Sequence, residues 1–166
     1  MIFQSKVHNT SLYNTLLVLS RNLFFYKKIG LPDTFETRIY LMFFHFSIIM
    51  KIFKKKGSKF DQSSYDSLFH NIENNLRESG LGDVTVNKKM KDFNKILYDI
   101  LLKLEIEKSD KDFQVNHSLI SKYFVELNDP KSESFKEFET YFSNFYRFCF
   151  DIPLDNMLEG AIKFKY

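Results

Sequence analysis

The chain has 166 residues, of which 44% are hydrophobic and 27% charged, ordinary globular proportions that exclude a disordered or collagen-like protein. Five Gly and three Pro leave too few turns for a many-stranded β-protein, and one cysteine, Cys149, excludes an internal disulfide framework or a cysteine-based zinc site. The net charge of +3 is uneven: residues 1–60 carry ten Lys and Arg against Asp33 and Glu36, for +8, and residues 61–166 carry −5. A basic end of this kind suits an anionic surface, membrane or nucleic acid, or is simply a solvated face.

The first residues, MIFQSKVHNTSLYN, show neither the layout of a signal peptide nor the Arg-rich character of a transit peptide, so no targeting segment is expected there. Leu12, Leu16, Leu19, Leu23 and Tyr26 then keep the three-four spacing of one helix face, with Ser11 as cap and Gly30 as the residue that ends it. Leu31-Pro32-Asp33 breaks the chain, and Asp33 with Glu36 reads as a capping box for a second helix over 34–56. That helix is apolar on nearly every side and is expected at the centre of a bundle. Its uncharged run, Ile39 to Met50, spans about 18 Å as a helix, well short of the roughly 30 Å hydrocarbon core of a membrane.

After Gly57-Ser58-Lys59, a third helix presents Tyr65, Leu68, Phe69, Ile72 and Leu76 on one face and ends at Ser79-Gly80. A fourth carries Val86, Met90, Phe93, Leu97, Ile100 and Leu104, and KSDKDF over 108–113 reads as a polar connector. A fifth helix is expected over 116–127 and a sixth over 134–150, the latter with Phe135, Phe138, Phe142, Phe145 and Cys149 as a core stripe. Asp151-Ile152-Pro153 opens a last short helix with Leu154, Leu158 and Ile162. The expected architecture is a single all-α domain over 1–166, a bundle of six to seven helices around the second.

Little in the chain points to catalysis. The four histidines, His8, His45, His70 and His117, form no HExxH pattern, and no GxSxG, Walker or GxGxxG string occurs. His45, among Phe43, Phe44 and Phe46, reads either as a haem ligand or as a neutral core imidazole; the second reading is favoured, and no cofactor is expected. His70 is read in the same way, and Cys149 as a buried thiol. The run Lys51, Lys54, Lys55, Lys56 and Lys59 is the sharpest electrostatic feature. It suits anionic head groups or RNA phosphates, against a plain helix C-terminal charge effect. DNA binding is not expected, because no short polar recognition helix follows a turn.

Two strings carry a resemblance. Leu31 to Arg38, LPDTFETR, followed by Leu41 and His45, resembles the first signature of the ubiquinol-cytochrome c chaperone family. Leu76 to Val86, LRESGLGDVTV, with Lys89, Met90 and Lys91, is similar to the second, and the likeness runs more faintly over 26–164. Thr37 stands where the family has Gly, Ser79 where Met is frequent, and Asp99-Ile100 where Gly-Arg follows Tyr98.

The resemblance implies a non-enzymatic assembly factor of the cytochrome bc complex, respiratory complex III. Such a protein binds newly made cytochrome b at a membrane surface until haem and partner subunits are in place. It also brings a second assembly factor and the ribosome into view as partners. Lacking a presequence here, the chain is expected to be a bacterial form, cytoplasmic and peripheral on the inner face of the inner membrane. Asp33, Glu36, Gly80 and Gly82 have structural explanations as caps and turns. Arg77, Glu78, Asp83, Lys89 and Lys91, with Arg38 and His45 of the first string, are the expected partner-binding residues. The alternative is a general membrane-surface or RNA-facing helical adaptor without specificity for cytochrome b.

Overall fold

The computed structural model describes residues 11–104 and 113–166. Among these residues seven α-helices follow in chain order: α1 Leu12–Ser20, α2 Phe35–Lys55, α3 Gln62–Glu78, α4 Asp83–Lys103, α5 His117–Tyr123, α6 Glu133–Phe150 and α7 Met157–Ala161. A π-helical turn, Phe24–Lys28, follows α1, and a 3-10 turn, Leu154–Asn156, precedes α7. No strand occurs among the described residues, so the all-α reading holds. No described helix is long and apolar enough to cross a membrane.

Helix α2 is the axis. Twelve of its 21 residues are buried, and α1, α4 and α6 pack around it, with α3 laid across α1 and α4 and α7 against α1 and α6. The aromatic stripe foreseen for α6 meets it: Phe44 lies 5.6 Å from Phe142 and 5.3 Å from Phe124 between ring centroids. Phe138 closes the group at 5.0 Å from both Phe124 and Phe142. These rings are tilted to one another, and aromatic pairs at such separations each add about 0.5–1.5 kcal/mol beyond their area burial.

Four local expectations are corrected. The first helix stops at Ser20, because the Asn22 side chain accepts the Phe24 N–H at 3.0 Å and offers the backbone an alternative to continuing. The wide turn that follows shifts the register: Phe25 is fully buried, whereas Leu23 is 61% exposed. Gly30 ends the turn at φ +86°, as its position suggested. At the second helix Thr34, not Asp33, is the N-cap: its hydroxyl accepts the Thr37 N–H at 3.2 Å, which frees Asp33 to face Arg38.

The fifth helix ends at Tyr123, four residues early, where Phe124 turns extended and inserts its ring beside Phe44. Of the connector over 108–113, only Phe113 lies within the described residues; it is buried and stacked on Tyr146 at 5.1 Å. His8 lies outside the described residues. In the last turn Gly160 is set by close approach, since a Cβ there would fall 2.8 Å from Ile152.

One polar group sits at the centre of the core. His45 has no exposed surface; its Nδ1–H donates to the Leu41 carbonyl at 2.6 Å and its Nε2 accepts from the Tyr141 hydroxyl at 2.8 Å. It is burial that keeps the ring neutral, and in the neutral ring Nδ1 is the donor and Nε2 the acceptor. Burial drives its pKa down to about 3, with the Leu41 hydrogen bond acting weakly the other way. The unfolded chain binds this proton below the ordinary histidine value of about 6.5 while the folded chain does not. The contribution of neutral His45 is therefore complete above that value and is lost as pH falls toward the folded pKa.

Urea titrations at pH 7 and pH 5 are expected to show a loss on the order of 2 kcal/mol from this group. The loss should shrink in His45→Gln. Tyr141→Phe, which strands Nε2 without its donor, is expected to cost about 1–3 kcal/mol at pH 7.

Candidate functional site

The two signature strings, forty residues apart in sequence, end up side by side. The first opens α2 and the second joins α3 to α4. They meet through Glu36 and Lys89, whose carboxylate and ammonium lie 3.6 Å apart, and through the rings of Phe35 and Phe93 at 6.2 Å. Within the second string Gly80, at φ +94°, turns the chain out of α3, and Gly82 is the N-cap residue of α4. Arg77 closes that turn by donating to Asp83 and also faces Glu73 at 4.0 Å. Within the first string Arg38 lies 3.5 Å from Asp33.

Most of the charges expected to serve a partner thus have neighbours inside the protein. These pairs are solvent-exposed and each is worth under about 1 kcal/mol, so they shape the surface without locking it. Glu78 and Lys91 are exposed, and no ion pair is formed by either among the described residues. Lys89 and Lys91 diverge: two residues along a helix is about 200° of rotation, so Lys89 turns toward α2 and Lys91 away from it.

A groove of about 230 Å³ runs beside this junction, between α1, α2 and α3. Leu17, Phe35, Ile39 and Met42 give it an apolar floor, Arg21 and Arg38 a cationic wall, and Tyr13 and Asn75 a hydrogen-bonded edge. Among the described residues no carboxylate lines it. Phe35 and Arg38 belong to the first string, and Asn75 immediately precedes the second.

His45 leaves the set of partner-binding residues. Fully buried, with both ring nitrogens engaged, it presents nothing to a partner and no free nitrogen to a haem iron. His70, expected as a core imidazole, is exposed on α3. The basic run is also divided. Lys56 bends back from the end of α2 and donates to the carbonyls of Phe150 at 2.6 Å and Ile152 at 3.1 Å, with its ammonium 4.9 Å from the Phe150 ring centroid. It closes the C-terminus of α6. Lys51 and Lys55 also interact within the fold, and Lys54 and Lys59 are exposed.

Sequence reasoning missed one cluster. Asp99, at the position that departs from the family pattern, accepts from Lys103 Nζ at 2.6 Å, Lys122 Nζ at 2.8 Å and the Tyr123 hydroxyl. Partial burial works against its charge, but these three donors prevail and hold the carboxyl well below the usual range. The cluster fastens α5 to α4. The i,i+4 spacing of Asp99 and Lys103 was visible in sequence, but the α5 contribution was not.

Lys56→Met is expected to lower stability by about 1 kcal/mol through the loss of two carbonyl contacts, as read by chemical denaturation. Lys54→Met and Lys59→Met should change it by less than about 0.5 kcal/mol.

Searches among curated proteins and among solved structures gave no match to this chain. A family model described as ubiquinol-cytochrome C chaperone matches residues 27–164, a stretch that holds both strings and six of the seven described helices; of the groove it holds the α2 and α3 sides, while Tyr13, Leu17 and Arg21 precede it. The chain belongs to the ubiquinol-cytochrome c chaperone family.

Proposed function

We propose that this chain holds newly made cytochrome b during assembly of the cytochrome bc complex, by binding alone and without catalysing a reaction. It would do so as a peripheral protein at the membrane surface where that client is inserted. Family membership supports the assembly role. The observation that carries the client reading is the groove beside both signature strings, apolar along its floor and bordered by Arg21 and Arg38.

The groove fits an exposed client segment in which a carboxylate lies beside apolar side chains. Arginine presents a planar fork that matches a carboxylate, and Arg38 can exchange its loose Asp33 contact at 3.5 Å for a client oxygen at small cost. Leu17 and Phe35, both partly exposed, would cover the neighbouring apolar surface of a membrane protein that has not yet met its own partners.

A photo-crosslinking residue at Leu17 or Phe35 in the native host is expected to give cytochrome b as the main adduct, strongest while translation runs. Arg21→Glu with Arg38→Glu should lower that adduct about tenfold, with the helical circular dichroism unchanged. Adducts only to ribosomal proteins or only to lipid would remove the client and leave the general adaptor.

A further inference from the structure

Helix α4 carries a second surface, diametrically opposite the one it buries. Val86, Phe93, Leu97 and Ile100 face the core. At about 100° per residue, Val84, Lys88, Lys91, Lys95, Tyr98 and Leu102 form a straight outward stripe about 27 Å long. Val84 is 85% exposed, Leu102 81% and Tyr98 54%, so three of the eight large hydrophobic residues exposed among the described residues fall on this one line. Between them stand three exposed lysines that make no ion pair among the described residues. The lysines to the side of the stripe do: Lys89 with Glu36 and Lys103 with Asp99. No acidic residue lies on the stripe, and Asp92 and Asp99 flank it about 60–80° round the helix.

Tyr98 also neighbours Tyr65 of α3, but neither the two exposed aliphatic residues nor the three lysines have a contact among the described residues that folding would require. Water alone would favour polar residues at Val84 and Leu102, and a fold-stabilising role would give the lysines partners. We infer that the outward face of α4 is a docking surface for an anionic lipid bilayer. A bilayer is negatively charged, flat over the length of the stripe, and open to apolar side chains. Lysine stems lie along it while their ammonium groups meet phosphates, tyrosine rings settle at head-group depth, and leucine and valine enter the acyl boundary. Nucleic acid would satisfy the lysines and leave Val84 and Leu102 in water.

The inference deepens the assembly-chaperone reading by giving it a membrane-facing side. Its test contains no client, so the two fail separately.

The purified chain would be floated with vesicles of phosphatidylcholine alone and with vesicles that also contain phosphatidylglycerol. Binding is expected only to the second kind, falling with salt. Lys88→Glu, Lys91→Glu and Lys95→Glu together should weaken it by on the order of 100-fold, with the helical spectrum unchanged. In a Leu102→Cys variant a polarity-sensitive dye should move to shorter emission wavelength on these vesicles; at Thr140→Cys, on the exposed side of α6, it should not. Flotation that survives the triple variant, a dye at position 102 that stays in water, or no binding to either vesicle would overturn the inference. Capture of single-stranded RNA lost in the triple variant, without flotation, would also overturn it and assign the stripe to nucleic acid.

Discussion

A helix that is apolar on nearly every side cannot be stable until every side is covered. Helix α2 imposes this condition on the whole molecule, and the arrangement of α1, α4 and α6 around it answers that condition. One polar ring, His45, sits inside the covered helix and restricts the solution further. Its two nitrogens need one acceptor and one donor at fixed directions, and the Leu41 carbonyl and Tyr141 hydroxyl supply them. Apolar packing alone would tolerate a slip of α6 along α2, because one phenylalanine replaces another at little cost. The His45–Tyr141 bond fixes the register that Phe138, Phe142 and Phe145 then complete.

That register carries through to the surface. With α2 fixed against α6, the first turn of α2 has one position, and α4 must place Phe93 against Phe35 and Phe43 to fill the space beside it. Lys89 then reaches Glu36. The juxtaposition of the two signature strings thus follows from the core and is not maintained by the charges that decorate it. Those charges are loosely held, which suits a surface that must exchange internal contacts for a client's.

The helical periods were legible in the sequence because burial is one-sided along α3, α4 and α6, and the helical bundle around α2 follows from them. Helix ends were less so. Asn22, Thr34 and Phe124 decide three boundaries by single hydrogen bonds or a single inserted ring, against a background period that continues past them. The groove could not be read at all, since Leu17, Ile39 and Asn75 come together only through the packing of three helices. Of the expected site residues, His45 fails: the resemblance brought it into the site, whereas its neighbours Phe43, Phe44 and Phe46 on an almost wholly apolar helix already read it as a core imidazole, and it is fully buried.

In a chain with twenty lysines, charge clusters in sequence carry little information, because any polar face collects several. The structure separates them by what they touch. Lys56 caps α6, Lys89 joins α4 to α2, and Lys103 and Lys122 surround Asp99; each has a task within the fold. Lys88, Lys91 and Lys95 form no ion pair among the described residues, yet they are aligned, and aligned with exposed apolar side chains. The compact run at 51–59 that dominates the sequence is therefore a weaker candidate for an external surface than three lysines spaced by three and four along α4. Because α4 is one rigid rod, its inward edge at Lys89 and its outward stripe move as a unit. A surface that engaged the stripe would set the orientation of the signature strings, and of the groove beside them, relative to that surface.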